Sequence, residues 1–339
     1  MTQLKDYLQL LRPAQWVKNV FVLLALVFSE RRGDPQAIGL AAAAFAAFCL
    51  LSSAVYCFND IKDRDEDAAH PTKRFRPLPR GAISPGGAGV LCVLMLLGGL
   101  AAAFWIGGGF AATVLTYLVI NLVYTLGLKH VPLVDVILVA VGFVLRALGG
   151  AQAIDVEVSA WLIICTFTLC LFLGFGKRRC EIAMLTEAGT DVAKHRATLA
   201  QYTPELLNQL LSTTAVLAVI TFLLYTLDPH TAREFRALFY TTPLVLYAIF
   251  RYAMVIEHGQ RTGPTDILIK DRPFFITCLL WTALAMLIAF RGPQIERYLP
   301  NLRWPGVQSR ESADDDSRVS GAVLLDHRGG AIVDAARTG

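Results

Sequence analysis

Residues 37–67 read AIGLAAAAFAAFCLLSSAVYCFNDIKDRDED. Ala37–Phe58 is an uncharged apolar run, and seven of the next nine residues are charged. A bilayer core about 30 Å thick is crossed by roughly 20 apolar residues of helix. The stretch therefore reads as a membrane-spanning helix that runs directly into an acidic rim. Asn59, Asp60, Asp63 and Asp67 recur at spacings of three and four, so they share one helix face. Carboxylates stacked this way repel one another unless a cation lies between them. Hard oxygen donors suit Mg²⁺, with Mn²⁺ as the alternative, usually bound together with substrate phosphates. The plainer alternative is a solvated helix end neutralised by Lys62 and Arg64. Ionisable groups continuing a membrane span favour a functional site over that alternative.

The rest of the chain agrees with a membrane origin. Of 339 residues, 55% are hydrophobic and only 17% are charged, against roughly 25% charged in soluble proteins. Mean hydropathy is +0.51. These values argue against a water-soluble enzyme and exclude a disordered or collagen-like chain. The net charge of +4 is too small to indicate nucleic acid. The seven cysteines show no CxxC pair and read as small core residues.

Nine candidate spans follow: Val17–Phe28, Ala37–Phe58, Ala88–Ile106, Phe110–Leu126, Pro132–Gly149, Ser159–Gly176, Leu210–Leu227, Leu238–Ile256 and Phe274–Phe290. The first is short and is expected to extend back through Trp16. The expected fold is all-α, a polytopic bundle of nine transmembrane helices around a central cavity. MTQLKDYLQLLRP lacks the apolar core of a cleavable signal peptide, so none is expected. With the N-terminus inside, one set of loops carries 18 Lys and Arg and the opposite short loops carry 4. The positive-inside rule then places the N-terminus and the acidic rim in the cytoplasm of a plasma-membrane protein, and the C-terminus outside. Residues 1–299 read as the membrane domain and 300–339 as a polar, flexible tail. The two densely charged loops after spans two and six echo one another, as though two similar halves met over one cavity.

Further charged groups surround the rim. Lys73, Arg74, Arg76 and Arg80 follow the acidic face and could bind a diphosphate opposite a metal. Positive-inside anchoring accounts for part of this run. After span six comes Gly174-Phe175-Gly176-Lys177-Arg178-Arg179-Cys180-Glu181. Lys177, Arg178 and Arg179 read as a compact anion site, with Glu181 orienting an arginine or holding a hydroxyl. Tyr124, Lys129 and Asp135 flank the loop after span four. Arg146 stands in an apolar span, where it must face protein or a cavity, in a structural or a binding role. Arg251 lies near a span end and is expected to snorkel. Asp266, Lys270, Asp271 and Arg272 add a third charged rim.

Together these residues resemble the UbiA-type intramembrane prenyltransferases. That family shares nine spans, and Asn-Asp-x2-Asp-x3-Asp after span two is its first acidic motif, matched here by Asn59, Asp60, Asp63 and Asp67. The resemblance covers about residues 5–290. The chain departs from most members after span six, where another Asp-x3-Asp is replaced by Lys177-Arg178-Arg179-Cys180-Glu181. The surroundings, Leu133-Val134-Asp135-Val136, Gly142–Ala147 and Lys270-Asp271-Arg272-Pro273, are similar to the decaprenyl-phosphate phosphoribosyltransferase branch.

What the resemblance implies is Mg²⁺-dependent transfer of 5-phosphoribose from phosphoribosyl pyrophosphate (PRPP) to decaprenyl or another polyprenyl phosphate, for cell-wall arabinan synthesis. It assigns Asn59, Asp60, Asp63 and Asp67 to the metal, the three Asp as catalytic. Lys73, Arg74, Tyr124, Lys129, Arg146, Lys177, Arg178, Arg179, Glu181 and Lys270 become substrate-binding candidates. The expected partners are PRPP, polyprenyl phosphate and membrane lipid; a homo-oligomer is compatible with the sequence. Charge alone reaches only a metal–diphosphate site facing a lipid cavity, with room for an extra anion. The competing reading is prenyl transfer from a prenyl diphosphate to an aromatic or lipid acceptor.

Overall fold

The computed structural model describes residues 2–69, 73–187, 199–257, 267–268 and 270–298. Its helices are α1 (Thr2–Leu11), α2 (Leu24–Val27), α3 (Pro35–Lys62), α4 (Arg64–Ala69), α5 (Pro85–Ile106), α6 (Gly108–Leu126), α7 (Val134–Ile154), α8 (Ala160–Glu187), α9 (Pro204–Leu227), α10 (Pro229–Phe235), α11 (Thr242–Glu257) and α12 (Arg272–Tyr298). The described residues contain no strand, and nine of their helical segments are long and apolar enough to cross a bilayer. The all-α, nine-span expectation holds. Residues 300–339 and Asp266 lie outside the described residues.

The first span differs from its expected outline. It runs over Leu4–Val27 and is broken in the middle. Pro13 disfavours helical backbone at Arg12, and Arg12 takes a left-handed conformation (φ 53°, ψ 57°). The chain restarts as a 3-10 helix over Pro13–Leu23, far longer than the three or four residues usual for that geometry. Ser53 of α3 donates its hydroxyl to the Leu11 carbonyl at 2.9 Å, supplying the helix end with a partner. A 3-10 helix repeats every three residues, so Trp16, Asn19 and Val22 share one edge. Trp16 donates to Ser53 (3.0 Å) and Asn19 to Ser52 (3.2 Å), while Val22 is fully buried.

Asp34 starts α3, accepting from the Gln36 N–H at 2.9 Å, with Pro35 in the first turn. The Arg31 hydrogen bond holds the Asp34 carboxyl below its ordinary range. With 28 residues, α3 is about 42 Å long and outreaches the bilayer core. Its terminal turn therefore projects as a charged rim. Ala37, Ala41, Ala44 and Ala47 are buried along it, and small residues let membrane helices approach closely. One apolar core joins Val22 to residues of α3, α5, α6 and α7; a second joins α8, α9 and α11. α7 serves both, through Leu145 in the first and Val136 in the second.

Gly150 of α7 lies against the backbone of the 3-10 segment, where an added Cβ would overlap the Val22 carbonyl. Backbone cannot yield as a side-chain tip can. Gly150→Ala should lose about 1–3 kcal/mol of stability, read as a lower thermal midpoint in detergent. Gly89→Ala meets nothing within 4 Å and should leave that midpoint unchanged or higher.

Candidate active site at the end of α3

The acidic face crosses a break in the helix. Asp63 closes α3 with φ −90° and ψ 9°, its N–H bonded to the Asn59 carbonyl at 2.9 Å. Its own carbonyl accepts the Asp67 N–H at 2.8 Å, so α4 continues nearly in line. Asp60 and Asp67 are only 2% and 3% exposed. Such burial demands counter-charge. Arg76 Nη1 lies 3.2 Å from Asp60 Oδ1 and 2.5 Å from Asp67 Oδ2. Arg12 Nη2 reaches Asp60 Oδ1 at 2.6 Å and Lys73 Nζ reaches Asp67 Oδ1 at 3.5 Å. Asp63 turns instead to Lys129, at 2.6 Å. Asn59 is half-buried at the same helix end.

Two carboxylates thus converge on one cationic atom. Among the described residues, no three His, Cys, Asp or Glu side chains form a closed metal cage. An open pair of hard oxygens fits Mg²⁺, which keeps one or two protein carboxylates and completes its shell with water and substrate phosphates. Asp60 and Asp67 would hold it, with Asp63 and Asn59 one turn or less away.

Lys177, Arg178 and Arg179 lie in the C-terminal half of α8. They do not form the compact anion site expected of them. Successive helical residues point about 100° apart, and each takes a different partner. Arg178 is buried with Asp135 and Glu181: Nε is 2.9 Å from Asp135 Oδ2 and Nη1 is 2.6 Å from Glu181 Oε2. Arg179 faces Asn208 of α9 at 3.2 Å and Glu257 at 3.6 Å. Lys177 is exposed, 3.7 Å from Glu181. Tyr124 lies within electrostatic reach of Arg178.

Asp135, fully buried, is held at the start of α7 by an uncommon turn. Leu133 has φ 66° and ψ −47°, and the Val134 N–H bonds to the Pro132 carbonyl at 2.8 Å, a γ-turn of the strained kind. The freed Leu133 N–H donates to the Tyr202 hydroxyl at 2.6 Å, and that hydroxyl donates to Asp135 Oδ1 at 3.1 Å. Burial pushes the Tyr202 phenol up to about 12, so it keeps its proton at physiological pH.

The remaining candidates separate. Arg74 is exposed and stacks on Phe75 at 4.8 Å, leaving Arg76 to reach the acids. Lys270 is exposed. Its neighbour Asp271 caps α12 through the Phe274 N–H at 3.0 Å and grips Arg251 at 3.0 and 2.8 Å. Arg251 therefore binds a carboxylate rather than snorkelling. Arg146 lies deep, 6% exposed, among neutral partners. Arg76 reads in the sequence as one of four cations for a diphosphate, and the structure places it on the carboxylates themselves; Arg12 carries no signal in the sequence, since no period joins the Arg-Pro step to Asp60.

A nine-span helical bundle whose third helix ends in buried, cation-paired carboxylates is the architecture of a membrane-embedded transferase. Residues 19–279 match the UbiA prenyltransferase family, and the chain belongs to that family. It is 33% identical over 282 residues to the decaprenyl-phosphate phosphoribosyltransferase of Mycolicibacterium smegmatis, covering 80% of this chain and 88% of that one. It is 32% identical over 279 residues to the protein of that name from Mycobacterium tuberculosis H37Rv, covering 80% and 90%. The solved structure of a UbiA homolog from Archaeoglobus fulgidus bound to GPP and Mg²⁺ shares the fold, with TM-score 0.62 and 23% identity over 84% of this chain and 99% of that one.

The Asp135–Arg178 pair yields a double-mutant test. Asp135→Leu leaves a buried guanidinium with Glu181 alone and should cost about 3–5 kcal/mol of stability. Combining it with Arg178→Met removes both charges and should recover most of that loss, measured by thermal unfolding in detergent.

Proposed function

We propose that this enzyme transfers 5-phosphoribose from PRPP to decaprenyl phosphate, or another polyprenyl phosphate, with Mg²⁺ as cofactor. The product is a polyprenyl-phosphoryl-5-phosphoribose, a precursor for cell-wall arabinan. The observation that carries this reading is the pairing of Asp60, Asp63 and Asp67 with Arg12, Lys73, Arg76 and Lys129. Such a rim offers oxygens to a metal and donors to a polyanion at once. The absence of a second Asp-x3-Asp after span six, where Lys177-Arg178-Arg179-Cys180-Glu181 stands instead, supports it by weighing against a prenyl-diphosphate donor. The names of the relatives described above point the same way.

Asp60 and Asp67, with Asp63 and Asn59 nearby, would hold Mg²⁺, which would supply charge neutralisation to a departing pyrophosphate. Arg12, Lys73, Arg76 and Lys129 then give the pyrophosphate charge-assisted hydrogen bonds in place of their bonds to carboxylates. The bond from ribose C1 to the pyrophosphate oxygen breaks, and a lipid phosphate oxygen bonds C1 from the opposite face, inverting the anomeric centre. The acceptor oxygen is already an anion, so no side chain need act as a base. Lys177 is the exposed cation of its trio and is placed to meet an incoming phosphate. Arg178, bound to Asp135 and Glu181, positions the end of α8 against α7. The excess of Lys and Arg on this side supports a cytoplasmic rim, where PRPP is soluble, with the lipid arriving sideways from the bilayer.

Purified protein incubated with labelled PRPP and polyprenyl phosphate should form a lipid-linked product only with Mg²⁺. Labelled prenyl diphosphate with an aromatic acceptor should give none; the reverse pattern would establish prenyl transfer instead. Asp63→Ala and Asp67→Ala should each abolish transfer while the protein elutes as wild type in detergent.

A further inference from the structure

Asp60, Asp63 and Asp67 of the rim each have a cation, but the cations outnumber the carboxylates farther in. Arg146 sits eleven residues along α7 from Asp135, about 16 Å deeper. Asn19, its partner at 2.8 Å, touches Cys49 and Ser52 of α3. Those two lie eleven and eight residues before Asp60, again about 12–16 Å from the rim. A guanidinium buried at that depth needs compensation. Its hydrogen-bond partners are the Asn19 amide oxygen, the Gly142 carbonyl (2.7 Å) and the Tyr117 hydroxyl (3.0 Å), and it stacks on the rings of Tyr117 and Phe143. All are neutral. Three of its five N–H donors are engaged, so two remain.

Lys18 deepens the imbalance. It lies on the 3-10 segment one residue before Asn19, is partly buried, and makes no hydrogen bond or ion pair among the described residues. Lys18 shares an edge of that segment with Phe21, whose ring packs on Phe143, and Arg146 stacks on the same Phe143 ring; the charges around it, of Arg146 and Arg12, are both positive. Arg12 is committed to Asp60 at the rim. Two further cations therefore stand inside the bundle with no acid between them. A structural role explains Arg146, which ties the first span to α6 and α7. It does not explain an ammonium held next to it without a partner.

We propose that Lys18 and Arg146 form a second anion site, deeper than the carboxylate rim, that receives a phosphomonoester. Its ligand is either the 5-phosphate of the pentose donor or the phosphate of the lipid acceptor. This rests on reading the α3 rim as the diphosphate site, because it assigns the remaining anion to a separate place. The two ammonium and guanidinium groups offer up to five unengaged N–H donors, enough for the oxygens of one phosphate. Arg12, bonded to Asp60 and carried on the same first span as Lys18, links the two sites along the chain and sets the direction in which a substrate with two anionic ends must lie. Occupancy of the inner site would also remove the like-charge repulsion between Lys18 and Arg146.

The test uses full-length protein in lipid nanodiscs and reads binding rather than turnover. Three probes are titrated: Mg²⁺-pyrophosphate, ribose 5-phosphate against ribose, and polyprenyl phosphate against polyprenol. Lys18→Gln breaks no bond in the protein and is the primary variant; Arg146→Lys, which keeps the charge but not the fork, is the second. Lys18→Gln should weaken one phosphomonoester by about tenfold or more, as for a lost charged hydrogen bond, and leave Mg²⁺-pyrophosphate unchanged. Loss confined to ribose 5-phosphate assigns the site to the sugar, and loss confined to polyprenyl phosphate assigns it to the lipid. Arg146→Lys should weaken the same probe. Binding of both phosphomonoesters within twofold of wild type, or equal loss of all three probes, would overturn the proposal. Absence of PRPP turnover in the wild type would sink the proposed reaction alone, since none of these titrations depends on transfer.

Discussion

The guanidinium of Arg76 between Asp60 and Asp67 is the contact on which the rest of the site depends. It permits two nearly buried carboxylates to face each other where a long apolar helix leaves the membrane. Without Arg76, Asp60 would keep Arg12 and Asp67 would keep Lys73, but no group would bridge the two carboxylates. Arg12 adds a second cation to Asp60, and that bond has a structural price of its own: the left-handed backbone at Arg12 and the break in the first span at Pro13. The local chain geometry of the first span and the charge of the third helix are therefore one problem with one solution.

α7 carries that solution inward. Its first turn presents Asp135 to Arg178 and Tyr202, and its middle presents Arg146 to Asn19 and Tyr117. Because α7 belongs to both apolar cores, a shift at either end is felt in both halves of the bundle. The strained turn at Leu133 is over-determined by the Tyr202 hydroxyl, which takes the N–H that the turn leaves over. Polar groups at two depths of one helix thus share a rigid support.

Much of this was legible beforehand, and the limits have physical causes. Spans and the acidic face show in the sequence because they are local: an apolar run and a spacing of three and four. Ion pairs are not local. Arg12 and Asp60 are 48 residues apart, Lys129 and Asp63 are 66 apart, and no periodicity joins them. Lys177, Arg178 and Arg179 look like one patch when written in a line, but a helix turns consecutive residues to different sides, so Arg178 went to Asp135 and Arg179 to Asn208. Arg251 was judged by depth alone, and Asp271 lay on the next element. The break in the first span could be located from Pro13, whereas the 3-10 winding that follows has no signature in composition.

That winding has a consequence for how the molecule can vary. With three residues per turn the segment is a prism with three flat sides. One side carries Trp16, Asn19 and Val22 against α3 and α7; another carries Lys18 and Phe21, the latter edge-on to Phe143 at 4.9 Å. Inserting or deleting one residue would rotate everything beyond it by about 120° and exchange the sides wholesale. Length changes here are tolerable only in multiples of three, as in a key whose teeth recur at a fixed pitch.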